Sequence, residues 1–163
     1  LGPIALTVDC DILNADGGTR CASITAANIA LRLAVRRLIS SGVCLPANLR
    51  PNRDQLEAGW EAPKLSPTEI AAHEKAVMPH DLAAISVGLI EGNVFLDLDY
   101  ILDSNADVDM NVVGISDGSF VEIQATGEEA TYSREQFNAL MDSAEGGLGD
   151  LFEIQKAILA DLE

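Results

Sequence analysis

The chain has 163 residues, which suits one domain built around a single hydrophobic core. Its formal net charge of −16 disfavours unaided contact with nucleic acid or an anionic membrane, because nothing outweighs repulsion by phosphates. Aromatic residues are few, the apolar runs are too short to span a bilayer, and the three cysteines (Cys10, Cys21 and Cys44) form no CxxC pair. An odd cysteine count argues against a disulfide framework or a zinc site and points to a reducing cytoplasm. No basic stretch leads into an apolar one, so no secretory signal is expected.

Residues Ile4–Leu13 read as a strand, with Ala5, Thr7, Asp9 and Asp11 alternating with Leu6, Val8, Cys10 and Ile12. The segment Asn14–Arg20, NADGGTR, precedes a helical pattern over Ser23–Ile39. Strand, glycine-rich turn and helix is the layout of an anion site. Gly17 and Gly18 permit close backbone approach, Thr19 offers a hydroxyl and Arg20 a bidentate fork. It is neither a Walker loop nor GxGxxG, and a plain turn with an N-cap accounts for it equally well.

Gly42–Pro79 changes character. Beyond the Leu45-Pro46 turn it holds Pro51, Pro63, Pro67 and Pro79, the only tryptophan (Trp60), and the basic residues Arg50, Arg53, Lys64 and Lys75. It reads as an inserted surface excursion. Within it, Ser66–Val77 is predicted to be a helix, capped by Ser66 with Glu69 at the capping-box position. His73 and His80 lack partners at ligand spacing and are read as ordinary surface or core residues.

Two hairpins follow. Ala84–Ile90 and Val94–Leu98 flank Glu91-Gly92-Asn93, and Val108–Ile115 and Phe120–Ala125 flank Asp117-Gly118, a type I′ signal. Between the hairpins lies LDLDYILDSNADVDMN, Leu96–Asn111, with five aspartates: Asp97, Asp99, Asp103, Asp107 and Asp109. No Lys or Arg lies between Asp81 and Ala130. Such a cluster is solvated, holds protons, or binds a divalent cation. The last predicted element is a helix from Arg134 to about Leu162. Ser133 and Gln136 form its capping box, and Phe137, Leu140, Met141, Ala144, Leu148, Leu151 and Ile154 form its buried stripe. Gly146, Gly147 and Gly149 weaken its middle.

Three stretches together resemble the ribonuclease PH family. TVDCDILNADGGTRCASIT at Thr7–Thr25 resembles its phosphate-site segment, and Ala83–Val113 resembles its acidic catalytic hairpin. Asp117–Leu159 resembles its C-terminal strand and helix. The match omits only about Asn48–Val77, which reads as an insertion into a single domain spanning 1–163. The resemblance implies an α/β (α+β type) fold of the ribosomal protein S5 domain 2-like class, the ribonuclease PH fold, with mixed sheets packed against helices.

The resemblance also implies phosphorolysis: inorganic phosphate as co-substrate shortens RNA from the 3′ end, trimming tRNA precursors and releasing nucleoside 5′-diphosphates. It places phosphate on Gly18, Thr19 and Arg20, and catalysis on Asp103 and Asp109 with Mg²⁺ as the ion. Those two aspartates act either as metal ligands or as a general acid. Family members form hexameric rings, with polynucleotide phosphorylase and the exosome as relatives. Three departures stand out. The family's portion before Thr7 is expected from an N-terminal segment or a separate chain, 48–77 is extra, and Ala125 replaces a common glycine. A catalytically silent ring subunit that scaffolds an RNA-processing complex is the alternative.

Overall fold

The computed structural model describes residues 1–128 and 130–162. It divides into two compact units, Leu1–Asp9 with Ala30–Pro79, and Cys10–Ile29 with His80–Glu163. Helix α1, Thr19–Ser40, gives its second half to the first unit and its first half to the other.

In the first unit, α1 is followed by a short 3₁₀ turn and two helices, α2 (Arg53–Glu57) and α3 (Pro67–Val77). Val35, Ile39 and Cys44 form the core, with Ile4, Leu38, Ile70, Val77 and Met78 packed around them. The predicted capping box starts α3: Ser66 accepts from the Glu69 N–H, and Glu69 accepts from the Ser66 N–H. The excursion is not all surface. Glu74 is buried, with its carboxylate 3.3 Å from Arg32 Nη1 and 2.5 Å from Arg36 Nε. A carboxylate removed from water needs such partners, because burial of an unpaired charge is prohibitive.

The predicted strand at Ile4–Leu13 is not one. The segment lies outside every sheet of the described residues, and Leu13 is 94% exposed. Alternation of side chains describes two faces. A strand also needs a neighbouring backbone to exchange hydrogen bonds with.

The second unit is built on one antiparallel sheet of β1 (Leu82–Ile90), β2 (Asn93–Leu96), β3 (Val108–Ile115) and β4 (Phe120–Gly127), in the order β2-β1-β3-β4. A helical turn, α4 (Tyr100–Asp103), joins β2 to β3, and α5 (Arg134–Asp161) closes the chain. The first hairpin turns through Glu91 and Gly92, both at positive φ (50° and 78°), as a type I′ turn requires. The second is longer than expected. Only Gly118 is left-handed, Gly118 N–H donates to Ile115 O, and the register shifts at Val113/Gly114. That is a type I turn closed by a left-handed glycine in place of I′.

Side-chain alternation on β3 separates the two faces. Val108, Met110 and Val112 join Ile85, Val87 and Leu89 under Leu140, Met141, Ala144 and Leu148 of α5. Asp109, Asn111 and Val113 face the other way, where Cys21 and Ala84 form a small cluster with Val113. Helix α5 runs unbroken through its glycines, and Gly147 lets it sit close to the sheet, since a Cβ there would lie 2.4 Å from Ile85 Cδ1. Its stripe differs from expectation at one step: Ile154 is exposed and Gln155 is buried.

Replacing Glu74 with Ala leaves two guanidinium groups without their carboxylate. We expect a loss of about 3–5 kcal/mol, the scale for breaking a buried ion pair. Chemical denaturation of the variant measures it, and an unchanged midpoint would show that the pair contributes nothing.

Candidate active site

The acidic stretch is anchored by backbone contacts before its carboxylates can act. Asp97 N–H donates to Ser86 O at 2.8 Å, and Leu98 N–H donates to Ser86 Oγ at 3.1 Å. Leu98 is buried against Gly88, where a Cβ would clash with its Cδ1 at 2.7 Å. Asp97 takes a left-handed φ of 56°, which ends β2 at Leu96, two residues before the expected end. That conformation is uncommon for a residue other than glycine and is tolerated best by Asp and Asn.

The five aspartates then divide by task. Asp99 caps α4, accepting from Leu102 N–H at 2.8 Å. Asp107 accepts from Glu91 N–H at 2.9 Å and so ties down the first hairpin turn. Asp103 ends α4, with no side-chain hydrogen bond among the described residues. Asp109 lies on β3, opposite Gly88 and Thr126, and accepts a 3.3 Å bond from Asn111 Nδ2. Its pKa is raised, first by burial, then by the negative charges of Asp103 and Glu128.

The glycine-rich turn meets this stretch directly. Asp16 Oδ1 accepts from Tyr100 N–H at 2.7 Å, and a Cβ on Gly17 would lie 2.0 Å from Leu98 O. Only glycine permits that approach. Gly18, at φ 66°, turns the chain into α1, which starts at Thr19, four residues earlier than expected. Arg20 Nη2 donates to both carboxylate oxygens of Glu122 on β4, at 3.0 and 2.8 Å. Cys21 donates from Sγ to Asn111 Oδ1 at 2.8 Å. Burial pushes its thiol up to about 11, the Arg20 charge opposes that, and Asp109, Asp97 and Glu122 add to it. The thiol therefore stays protonated and serves as a donor.

Phosphate-segment and acidic-hairpin residues thus meet through Arg20, Cys21, Asn111 and Asp109. The sequence reading missed Cys21, Asn111 and Glu122. Their only sequence signal is position: Asn111 shares a strand face with Asp109, and Glu122 stands opposite Val113 on that face. His73 lies near Cys44 and His80 near Asp117.

Asp109 has a folded pKa above its usual value. Its contribution to stability is present below the unfolded carboxyl pKa and is lost as pH rises through the folded one. Asp109→Asn removes that loss, so we expect its unfolding temperature at pH 7 to exceed that of the parent. Melting curves at pH 7 and pH 4 test this, and the difference should close at the lower pH.

A model described as "3' exoribonuclease family, domain 2" matches residues 82–147. The ribonuclease PH of Corynebacterium glutamicum (strain R) is 45% identical over 159 residues, covering 98% of this chain and 53% of that protein. The ribonuclease PH of Bacillus cereus (strain AH820) is 43% identical over 163 residues, covering 99% of this chain and 55% of that protein. The chain spans about half the length of these curated relatives. A solved archaeal exosome core aligns with 47% of the chain and 31% of its own length at TM-score 0.43 and 17% identity. The likeness to ribonuclease PH thus runs along nearly the whole chain, and the family-model match spans the acidic hairpin.

Proposed function

We propose that this chain carries the catalytic face of a phosphate-dependent 3′→5′ exoribonuclease. Inorganic phosphate attacks the phosphorus of the terminal phosphodiester. A new P–O bond forms, the bond to the 3′ oxygen breaks, and a nucleoside 5′-diphosphate leaves while the shortened RNA takes a proton on its 3′ oxygen. The observation that carries this reading is the short link between the two segments: Arg20 is followed by Cys21, which bonds Asn111, which bonds Asp109.

Phosphoryl transfer asks for positioning and charge neutralisation more than covalent help. The N–H groups of Gly18 and Thr19 at the start of α1, with the Arg20 guanidinium, would receive the attacking phosphate. Glu122 engages only Nη2 of Arg20 among the described contacts, which leaves Nη1 and Nε for an anion.

Asp103 and Asp109 fit a Mg²⁺ ion. Two crowded carboxylates with water and substrate oxygens make the kind of shell this ion accepts, and no group of three or more His, Cys, Asp or Glu forms a full cage among the described residues. When bound, the ion supplies charge neutralisation at the scissile phosphate. The raised pKa of Asp109 also suits it to hand a proton to the departing 3′ oxygen.

The finer reading takes tRNA precursors as substrate, with rRNA processing alongside, in a cytoplasmic homohexameric ring. Only Arg134 and Lys156 follow Lys75, so further RNA-binding cations come from an N-terminal segment or another chain. Described helices include none long and apolar enough to cross a membrane. One observation favours the second reading, a silent scaffold subunit: Glu122 already neutralises Arg20.

The two readings separate in the assembled enzyme, given tailed RNA, Mg²⁺ and phosphate. We expect Asp109→Asn to cut nucleoside-diphosphate release by about 100-fold or more while assembly is retained. Arg20→Ala is expected to raise the KM for phosphate. Undiminished release by both variants would favour the silent subunit.

A further inference from the structure

Strand β1 is half covered on one side. Strand β3 pairs with it from Leu82 to Leu89, whereas β2 reaches only Val87–Ile90. The backbone groups of Leu82, Ala84 and Ser86 that point away from β3 therefore meet no strand among the described residues. Such groups, once buried, must be satisfied by something else.

Side chains and a loop supply those bonds. Thr25 Oγ1 accepts from Ala84 N–H at 3.0 Å and donates to Ala84 O at 3.2 Å, taking both roles of a missing strand residue. Gln155 Nε2 donates to Leu82 O at 2.9 Å and to Thr25 O at 3.0 Å, while its Oε1 accepts from Asn28 Nδ2 at 3.2 Å. Both carbonyls only accept, so the amide of Gln155 can face them in one orientation. Asp97 N–H completes the series at Ser86 O. Gln155 is 1% exposed, so these bonds are made away from water.

We propose that Thr25 and Gln155 are positioning residues for anion binding: by completing the bare edge of β1 they fix where α1 starts. This rests on reading Gly18, Thr19 and Arg20 as the phosphate site. Thr25 lies five residues after Arg20 on the same helix, and Gln155 holds the Thr25 carbonyl itself. Without these bonds α1 can slide or turn against β1, carrying the N–H groups of Gly18 and Thr19 with it. Neither side chain needs to touch phosphate.

The test uses the assembled enzyme with tailed RNA. We expect Thr25→Val, which keeps shape but lacks the hydroxyl and its two bonds, and Gln155→Leu, which loses three, each to raise the KM for inorganic phosphate about five- to tenfold, since the phosphate senses only the displacement of α1. We expect kcat at saturating phosphate and the KM for RNA to change less than twofold, the pattern of lost binding without lost chemistry. Thr25→Ser retains the hydroxyl and should keep the parent KM for phosphate. Either apolar variant, folded by circular dichroism and with an unchanged KM for phosphate, overturns the proposal. So does a raised KM in Thr25→Ser, which would assign the effect to the methyl group. Arg20→Ala is run in parallel: if it leaves the KM for phosphate unchanged, the phosphate-site reading fails, independently of Thr25 and Gln155.

Discussion

The backbone of β1 sets the terms for everything around it. Its polar groups between Leu82 and Ser86 are buried where no second strand reaches, and a buried amide or carbonyl without a partner costs free energy on the scale of a lost hydrogen bond. The chain answers with a hydroxyl from α1, an amide from α5 and a main-chain N–H from the acidic stretch. Those three segments are distant in sequence. Satisfying one strand edge therefore draws them to one place, and the glycine turn and Asp109 arrive there with them.

Around that place the carboxylates are treated unequally. Asp99 and Asp107 stabilise local structure by accepting backbone N–H bonds, a favourable use of negative charge at a helix start and at a hairpin turn. Burial strains Asp109 first, and the opposing charge of Asp103 adds to it. A fold that keeps such a pair forgoes stability at that point, which is common where charge is needed for chemistry. Asn111, itself held by the protonated Cys21, moderates the cost through its hydrogen bond to Asp109.

The first unit shows the same economy by other means. Its core is small, and Glu74 with Arg32 and Arg36 adds a buried ionic contact joining α3 to the second half of α1. Replacing Glu74 would take the carboxylate from both arginines, whereas the surface pair Arg53–Glu57, both exposed, carries little weight.

Much was legible in the sequence because it depends on neighbours a few residues apart. The capping boxes at Ser66 and Ser133, the Glu91-Gly92 turn, the alternation along β3 and the long helices follow from local chemistry, and the structure bears them out. The aspartate cluster and the glycine-rich turn were visible as motifs. Tertiary structure decided what had no local signal. It denied Ile4–Leu13 a strand partner among the described residues, buried Gln155 in place of Ile154, gave Arg20 to Glu122, and sorted five aspartates into a strand end, a cap, a tie and an opposed pair. The physical reason is common to all of these: each depends on which backbone or charge lies opposite, and that is set by packing between residues far apart in the chain.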